Sequence, residues 1–424
     1  MARRKLIRKA TAALIITLAL AACTRPDKGP SPFDAIENGA GGKADLPEGP
    51  VTAPEFEILP DAELVYGTST ADFAPREEIN QLGGRLADYS ELVGKKKMSA
   101  ADILQHVSAN YSLNPRLLLV VLDYRSGWAL GSDEPISEFP VFSDENAEAV
   151  LFRQLSWAAN ILNYGFYSRR VGGLPSFTTV DNVQILPSEK VSDGTIAVQF
   201  LLAQLYGYEE WLLAVGPLGL SARMKKMFPD YAESFAMDAR VTVPPQPELV
   251  LPFAIGEPWF FTSGPHSAWG SGAAWAALDF APDEDGFGCY ESGARVTAVA
   301  DGPVVRVDDG VVVQDLDGDG FEGTGWTILY MHIAERNKAA MGTYLNQGDR
   351  VGHPSCEGGP ATGTHLHIAR RYNGEWIPTD QDNPFNLSGW VSAGGGVEYD
   401  GTLTLGQNTV EASGFPQDEN KITH

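Results

Sequence analysis

The sequence predicts a multidomain protein of α and β parts, in which an N-terminal all-helical domain is followed by an antiparallel β-rich domain. Between about residues 60 and 240, apolar residues recur at the three- and four-residue spacing of helices. Beyond a proline-rich segment at residues 243–252, short β-branched runs are separated by Gly and Asp, which is typical of short strands joined by turns. We therefore expect two folded domains of different class in one chain.

The N-terminus predicts export and a lipid anchor. Five basic residues within the first nine positions precede an apolar run at residues 10–22, which at 13 residues is too short to span a membrane and suits a signal peptide. The run ends in Leu-Ala-Ala-Cys at residues 20–23, which resembles a bacterial lipobox. That resemblance implies a signal peptide at residues 1–22, lipid attachment to Cys23, and an extracytoplasmic lipoprotein anchored to the cell membrane.

Composition limits the partners of the mature chain. Residues 23–58 are rich in Pro, Gly, Asp and Glu and poor in apolar residues, as expected of a flexible tether without a core of its own. The chain has a net charge of −24, whereas proteins bind nucleic acids through clusters of Lys and Arg. We therefore expect no nucleic-acid partner.

Residues 59–242 form the predicted helical domain. Ser99 and Asp102 have the spacing of a capping box ahead of an apolar helical run. Asn114 and Pro115 then supply an N-cap and a first-turn proline for the next helix. Two local start signals therefore fix the expected order of these helices.

Two longer helices are expected further along this domain. Residues 145–164 carry apolar residues at helical spacing, and residues 195–215 form another apolar helical stretch. Gly207 lies within the second stretch and is expected to interrupt it.

The helical domain also has a weak resemblance to the lysozyme-like fold of lytic transglycosylases. The resemblance lies in Tyr-Ser-Leu-Asn-Pro at residues 111–115 and Arg-Ser-Gly-Trp at residues 125–128. In those enzymes a catalytic glutamate precedes the Ser-Gly, whereas Arg125 holds that position here and cannot act as a general acid. Asp123 would point elsewhere on the helix. The domain is therefore predicted to be a noncatalytic module that grips glycan strands, or a purely structural domain.

The second domain is predicted to be β-rich. We expect a linker at residues 243–254, the domain itself at residues 255–395, and a C-terminal strand and tail at residues 396–424. The strands are predicted at residues 296–300, 303–307, 311–314, 326–330 and 364–370.

A set of short elements follows in order along this domain. They are Gly-Pro-His at residues 264–266, Leu-Asp-Phe-Ala-Pro at 278–282, residues 299–305, Tyr-Met-His at 330–332, and residues 348–352 leading to Gly-Thr-His-Leu-His at 363–367. This succession resembles the lysostaphin-like, LytM-type zinc metallopeptidases over about residues 255–390. The resemblance implies a zinc endopeptidase that cuts the peptide cross-links of bacterial peptidoglycan.

His365 and His367 are two residues apart in a predicted strand, so their side chains share one face, about 6 to 7 Å apart. This spacing suits one metal ligand and one neighbouring acid or base. Zinc hydrolases take three protein ligands from His and carboxylate and leave a position for water. By resemblance, His266, Asp279 and His367 would bind the zinc. His365 and His332 would then serve as general base and transition-state stabiliser, in an order that the sequence leaves open.

The spacing of the first two ligands departs from the family pattern. The family usually places them four positions apart, whereas 12 residues separate His266 from Asp279 here. The insertion, residues 267–278, is rich in small residues and can loop out and return at little entropic cost. We expect it to lie at the cleft, where Trp269 or Trp275 would reshape or partly block access.

A second metal site is predicted between two of the strands. Asp315, Asp317 and Asp319 have the alternating spacing of calcium loops, with glycine at the sixth position. The twelfth position is Trp326, so the segment is not an EF-hand. The alternatives are a calcium site with Glu322 as an extra ligand and a plain acidic hairpin turn.

Cys289 and Cys356 are the cysteines other than Cys23. In an oxidising extracytoplasmic setting we expect a disulfide between them, the alternative being two free thiols. Cys289 follows Asp279 by ten residues and Cys356 precedes His365 by nine, so the bond would tie two loops near the predicted cleft.

Three functions follow from these features. The favoured one is a lipid-anchored zinc endopeptidase acting on peptidoglycan, because all the candidate ligands are present. The alternatives are a catalytically silent LytM-type lipoprotein that binds the wall or regulates an amidase, and a metallopeptidase acting on an extracellular protein. His106, His353 and His424 match no family element and are expected to be ordinary hydrogen-bonded histidines.

Overall fold

The computed structural model of the protein describes residues 46–131, 137–142, 150–233 and 242–424. The predicted signal peptide, Cys23 and most of the tether lie outside the described residues. Within those ranges, no helix has the length and apolar character needed to cross a membrane.

The predicted helical character of the first domain is confirmed. Its described residues, with the segment just before it, also form a three-stranded and a two-stranded sheet of short strands. The α-helices are α1 Pro75–Leu82, α2 Ala100–Tyr111, α3 Pro115–Ser126, α4 Leu151–Arg170, α5 Asp193–Ala203, α6 Tyr208–Ala214, α7 Leu220–Met227 and α8 Pro229–Glu233.

The helix starts follow the predicted local signals. The Ser99 hydroxyl accepts the Asp102 N–H at 3.2 Å, and the Asp102 carboxylate accepts the Ser99 N–H at 3.1 Å, so the capping box before α2 is confirmed. Asn114 accepts the Arg116 N–H at 2.9 Å and Pro115 begins α3. Both helices thereby satisfy backbone donors that would otherwise lack partners.

Two of the predicted helices differ in extent from the observed ones. The helix predicted at residues 145–164 is α4, which continues to Arg170, while residues 143–149 lie outside the described residues. The stretch predicted at 195–215 is divided into α5 and α6, as expected from Gly207. There the Asp181 carboxylate accepts the Tyr208 N–H at 3.0 Å, and a side chain at position 207 would collide with it.

The residues behind the weak lysozyme-like resemblance have structural roles. Asp123 is buried, pairs with Arg223 at 3.0 Å, and accepts the N–H groups of Ala129 and Leu130. Arg125 is also buried and donates from Nε to the Val141 carbonyl at 2.8 Å. Neither side chain is free to act on a glycan.

The second domain is β-rich and antiparallel, which confirms the predicted fold class. Five short strands precede it, and fifteen lie within it and its C-terminal part, among the described residues. They are β1 Val51–Thr52, β2 Ser90–Val93, β3 Lys96–Ser99, β4 Phe177–Thr178, β5 Gln184–Leu186, β6 Trp259–His266, β7 Ala277–Pro282, β8 Val296–Thr297, β9 Gly302–Asp308, β10 Val311–Asp315, β11 Trp326–Met331, β12 Tyr344–Leu345, β13 Arg350–Gly352, β14 Leu366–Tyr372, β15 Glu375–Trp376, β16 Asn386–Leu387, β17 Trp390–Gly394, β18 Gly401–Leu405, β19 Asn408–Glu411 and β20 Lys421–Ile422.

A nine-stranded sheet forms the centre of this domain. Its order is β12-β9-β10-β11-β14-β7-β6-β20, with β15 paired to β14, and its neighbours run antiparallel. The predicted strand at residues 296–300 is shorter than expected, because only Val296–Thr297 pair, with β13. The strand predicted to begin at Thr364 begins at Leu366, and His365 lies just before it in an isolated bridge with Ser355.

The two faces of the central sheet are covered by different parts of the chain. Ala369 on β14 faces a core shared with the helices, whereas its neighbour Ile368 faces a second core. The second core includes Leu251 and Phe253 from the predicted linker, so that segment is packed against the domain. The helical domain and one face of the central sheet therefore share one continuous hydrophobic core.

The C-terminal part of the chain belongs to the β-rich domain and is not a tail. β18 and β19 complete a four-stranded sheet with β16 and β17. β20 adds to the edge of the central sheet, where Lys421 pairs with Phe260 and Ile422 with Trp259. The strand expected after residue 396 is thus observed, but the residues around it are structured with it.

Candidate active site

Three strands bring His266, Asp279 and His367 together. Asp279 on β7 lies directly opposite His367 on β14 in the antiparallel register. The pairing of β6 with β7 is irregular between Ser263 and His266, which places His266 at the end of its strand beside Asp279. Asp279 Oδ1 is 3.2 Å from both His266 Nε2 and His367 Nδ1, and those two nitrogens are 2.9 Å apart.

This triangle of atoms fits a zinc ion. Ligands about 2.0 to 2.1 Å from a tetrahedral zinc lie about 3.3 Å from one another, close to the three observed separations. Asp279 Oδ1 is buried and accepts no hydrogen bond from the part of the chain that the structure describes, although a buried carboxylate oxygen normally has a partner. His266, Asp279 and His367 are therefore the residues that would hold the metal.

Backbone carbonyls fix the outward nitrogen of both histidines. His266 Nδ1 donates to the Gly264 carbonyl at 2.8 Å, and His367 Nε2 donates to the Ala268 carbonyl at 3.1 Å. Because a carbonyl can only accept, each ring keeps its proton on the outer nitrogen, and the inner nitrogen keeps its lone pair for the metal.

His332 and His365 lie beside this triangle. Their ring centroids are 4.3 Å apart, and His365 Nε2 is 3.8 Å from Asp279 Oδ2. Both rings donate from Nδ1 to a carbonyl at 2.8 Å, that of Glu357 for His332 and that of Gly363 for His365. A ring that donates from Nδ1 in this way and carries no second proton has an Nε2 lone pair that can accept one.

Burial and neighbouring charges set the ionisation of the site. Burial alone would raise the pKa of Asp279, but His266 and His365 hold that pKa well below its usual value. Burial acts to lower the pKa of His266, yet the adjacent Asp279 raises it on balance. Burial, reinforced by His365 and His367, lowers the pKa of His332 to about 3. The site thus combines an ionised carboxylate with a neutral His332.

The backbone at His332 is strained. Its φ is +62°, in the left-handed region that side-chain-bearing residues seldom adopt. Such conformations persist where surrounding structure enforces them and are concentrated at functional sites. The Ser355 N–H and hydroxyl, which bond the His332 carbonyl at 2.7 and 3.0 Å, help to enforce it.

The insertion loops out and returns as expected, since His266 and Asp279 do meet. One end of it lies at the site, where Ala268 contacts His367, and the rest packs against the helical domain, which the sequence analysis did not predict. Ala268, Ala273 and Ala274 are buried in the core shared with the helices, and Trp269 packs against that core. Small residues suit this position because they allow the backbone of the insertion to approach α4 closely.

The predicted disulfide is confirmed. Cys289 and Cys356 are bonded, with Cα atoms 5.8 Å apart. Nearby, the Thr364 N–H donates to the Gly288 carbonyl at 2.9 Å. The disulfide therefore supports the loop that leads into His365.

Tyr399 is a site residue that the sequence analysis missed. Its ring stacks on His266, with centroids 4.9 Å apart and planes inclined by 25°. Its φ is +75°, and the Gly264 N–H donates to its carbonyl at 2.7 Å. The family motifs gave no signal for it, because it comes from a glycine-rich turn far along the chain.

The predicted calcium ligands come together, but one expected partner does not join them. One ligand atom of each of Asp315, Asp317 and Asp319 lies within 4.8 Å of the others. Glu322 is instead bonded to Arg306 at 2.7 Å and to Arg371, so its prediction as an extra ligand is wrong. The Glu322 carboxylate is bonded to two arginines, of which Arg371 is buried, and these charge-assisted hydrogen bonds keep it away from the turn.

The remaining histidines have ordinary partners. His106 pairs with Asp308 at 2.8 Å, His353 donates to the Ala294 carbonyl at 2.6 Å, and His424 lies 3.1 Å from the Leu251 carbonyl.

Comparison with known proteins gives two kinds of match. Residues 57–241 match the family model described as the N-terminal domain of LasA. Protease LasA from Pseudomonas aeruginosa is 24% identical over 300 residues, which cover 65% of this chain and 67% of that protein.

Solved structures of metallopeptidases are also similar to this chain. The M23 metalloprotease pseudoalterin, from the deep sea, has a TM-score of 0.32 and 23% identity over 41% of this chain and 96% of that chain. The catalytic domain of lysostaphin from Staphylococcus simulans has a TM-score of 0.21 and 21% identity, covering 28% of this chain and 86% of that one.

The motifs that contain His266, Asp279 and His367 lie on neighbouring strands of the central sheet, and these three residues meet at one buried cluster. Residues 57–241 are thus similar to the N-terminal domain of LasA, and the motifs of the β-rich domain resemble those of lysostaphin-like, LytM-type zinc metallopeptidases.

Proposed function

We propose that this protein is a lipid-anchored zinc endopeptidase that hydrolyses peptide cross-links of bacterial peptidoglycan. The observation that carries the proposal is the triangle of His266, Asp279 and His367 with two further histidines beside it. A silent wall-binding or amidase-regulating protein has no need of this complete set, so the geometry favours the enzyme.

The residues of the chain divide the chemistry among them. When bound, zinc would supply Lewis acidity near neutral pH. His266, Asp279 and His367 would hold it, and the outward hydrogen bonds of the two histidines keep their rings oriented. One of His332 and His365 takes the proton of the attacking water through Nε2. The other, when protonated, donates to the oxyanion of the tetrahedral transition state.

The experiment that tests this proposal measures zinc content and peptide release from purified peptidoglycan. The wild type is expected to bind one zinc and release peptides. Asp279→Ala should lose both properties, whereas His365→Ala should keep zinc and lose hydrolysis by about 10²- to 10⁴-fold. His424→Ala is the matched control, because this histidine is exposed at the C-terminus.

Three results would contradict the proposal. Undiminished hydrolysis in Asp279→Ala and His365→Ala would remove the mechanism. Zinc binding without hydrolysis of any wall type would point to the regulatory lipoprotein, whose expected partner is a cell-wall amidase. Cleavage of secreted proteins without release of peptides from peptidoglycan would show that the substrate is an extracellular protein.

The lipid anchor is a separate part of the proposal. It is supported by the basic and apolar leader that ends at Cys23 and by a disulfide, which persists in oxidising compartments. Cys23→Ala should shift the protein from the membrane fraction to the soluble fraction and abolish incorporation of a labelled fatty acid. A wild-type protein without label would overturn the anchor and leave the peptidase assignment intact.

A further inference from the structure

The insertion contacts the zinc site at one end. The Ala268 carbonyl accepts the proton of His367 Nε2 at 3.1 Å, which leaves Nδ1 as the metal-facing nitrogen. Outer partners of this kind orient a metal-bound imidazole, and their loss typically weakens metal affinity by about 10- to 100-fold. The position of Ala268 therefore bears directly on the metal site.

The other end of the insertion is held by a single side chain of the helical domain. Asn160 on α4 accepts the N–H groups of Ser271 and Gly272 through Oδ1, both at 2.9 Å, and donates from Nδ2 to the Ser271 hydroxyl at 2.9 Å. A Cβ atom at Gly270 would lie 2.6 Å from Asn160 Oδ1. The loop is thus closely fitted to this one amide.

The two ends are connected across the loop. The Ala268 N–H donates to the Ala274 carbonyl at 3.0 Å, and the Ser267 hydroxyl lies 3.4 Å from the Ala273 carbonyl. Ala268, Ala273 and Ala274 are buried together against the helices. A displacement of the segment that Asn160 holds is therefore passed to Ala268 through short, buried contacts.

We propose that Asn160 is a positioning residue for the metal site, acting through the insertion and the Ala268 carbonyl on His367. The helical domain then contributes to the geometry of a site whose ligands all lie in the β-rich domain. This inference rests on the zinc site of the proposed function.

The test measures the zinc dissociation constant of the full chain by competition with a chromophoric chelator. Asn160→Ala should raise this constant about tenfold. Asn160→Asp should restore it to within about threefold of the wild type, because a carboxylate can still accept both loop N–H groups and the Ser271 hydroxyl proton.

Asn163→Ala is the matched control. Asn163 lies on the same helix and donates to the Tyr111 carbonyl at 2.8 Å within the helical core. It should lower the thermal unfolding temperature without changing the zinc dissociation constant. An equal rise in that constant for Asn163→Ala and Asn160→Ala would overturn the inference, since general loosening of the helices would then explain both.

Gly270→Ala disturbs the same contact from the side of the insertion. If Asn160→Ala does not fold, this variant tests the positioning role instead. Its added methyl group would meet Asn160, at a backbone φ of +64°, and should also weaken zinc binding about tenfold. Wild-type zinc affinity in this variant and in Asn160→Ala would refute the positioning role. Absence of zinc binding in the wild type would instead refute the proposed function.

Discussion

At the scale of single residues, the site depends on where each histidine ring carries its proton, which is on the nitrogen that faces away from the metal position. His266, His332, His365 and His367 each bond a backbone carbonyl through one ring nitrogen. Their other nitrogens converge on one small volume around Asp279. The sequence shows the histidines but not the carbonyls, because a carbonyl is present at every residue and only the fold selects which four are used.

The left-handed backbone of His332 leads to a prediction about stability. Glycine adopts φ of +62° without strain, whereas alanine keeps the strain of the wild type. We therefore expect His332→Gly to be more stable than His332→Ala by about 1 kcal/mol, although both should lose hydrolysis. Chemical denaturation of the two variants measures this difference, and a more stable alanine variant would contradict it.

At the scale of elements, the turn between β10 and β11 shows how local hydrogen bonds organise an acidic segment. Asp315 accepts the N–H groups of Asp317 and Gly320, at 3.1 and 3.0 Å, and Asp319 accepts the Phe321 N–H at 2.8 Å. These are Asx-type contacts that shape a turn by themselves. The turn is therefore held by its own backbone, and calcium remains a prediction for it.

The carboxylates in this turn give it a pH dependence. Desolvation and the neighbouring Asp315 raise the pKa of Asp317 to about 6. A pKa raised by folding means that this group favours the folded state most at acidic pH, and that stability falls as the pH rises through about 6. Asp317→Asn should therefore match the wild type near pH 4 and unfold at a higher temperature at pH 8.

Thermal unfolding at the two pH values tests this expectation, and equal unfolding temperatures at pH 8 would refute it. Repeating the measurement with millimolar calcium separates the two interpretations of the segment. A calcium-bound turn would raise the unfolding temperature of the wild type but not of Asp317→Asn. No rise in the wild type would establish the acidic hairpin turn.

At the scale of the whole molecule, the helical and β-rich domains are joined by a buried ion network. Glu322 pairs with Arg306 at 2.7 Å and with Arg371. Glu322 and Arg371 are buried, and the Arg306 side chain is 16% exposed. Arg306 reaches Asn110 on α2 at 2.7 Å, and Arg371 donates to the Ala109 carbonyl at 3.1 Å. The charged residues of this network come from the β-rich domain, and their hydrogen bonds reach helix α2 of the helical domain.

Removing the charge at the centre of this network should destabilise the protein. Burial would raise the pKa of Glu322, but Arg306 and Arg371 lower it, so its contribution is present at neutral pH and is lost on acidification. Glu322→Gln leaves the buried Arg371 and the partly exposed Arg306 without a counter-charge and should cost about 3 kcal/mol. Glu55→Gln, which breaks an exposed pair with Lys190, should cost less than about 1 kcal/mol. Similar losses in denaturation of the two variants would contradict this account.

The sequence predicted what depends on local signals. The capping box of Ser99 and Asp102, the break near Gly207 and the strand that carries His367 could be inferred because each depends on a few adjacent residues. The packing of the insertion on Asn160 could not be inferred, since it joins residues more than a hundred positions apart. The same reason hid Tyr399 and the role of Glu322, whose partners are chosen by the tertiary fold.

The short strand β20 has a consequence for association between chains. It covers the edge of β6, the strand that ends at His266. Lys421 pairs there with Phe260, and Ile422 pairs with Trp259. Displacement of β20 would uncover the backbone N–H and C=O groups of β6 and leave an open sheet edge beside the site, a hazard for pairing with other chains.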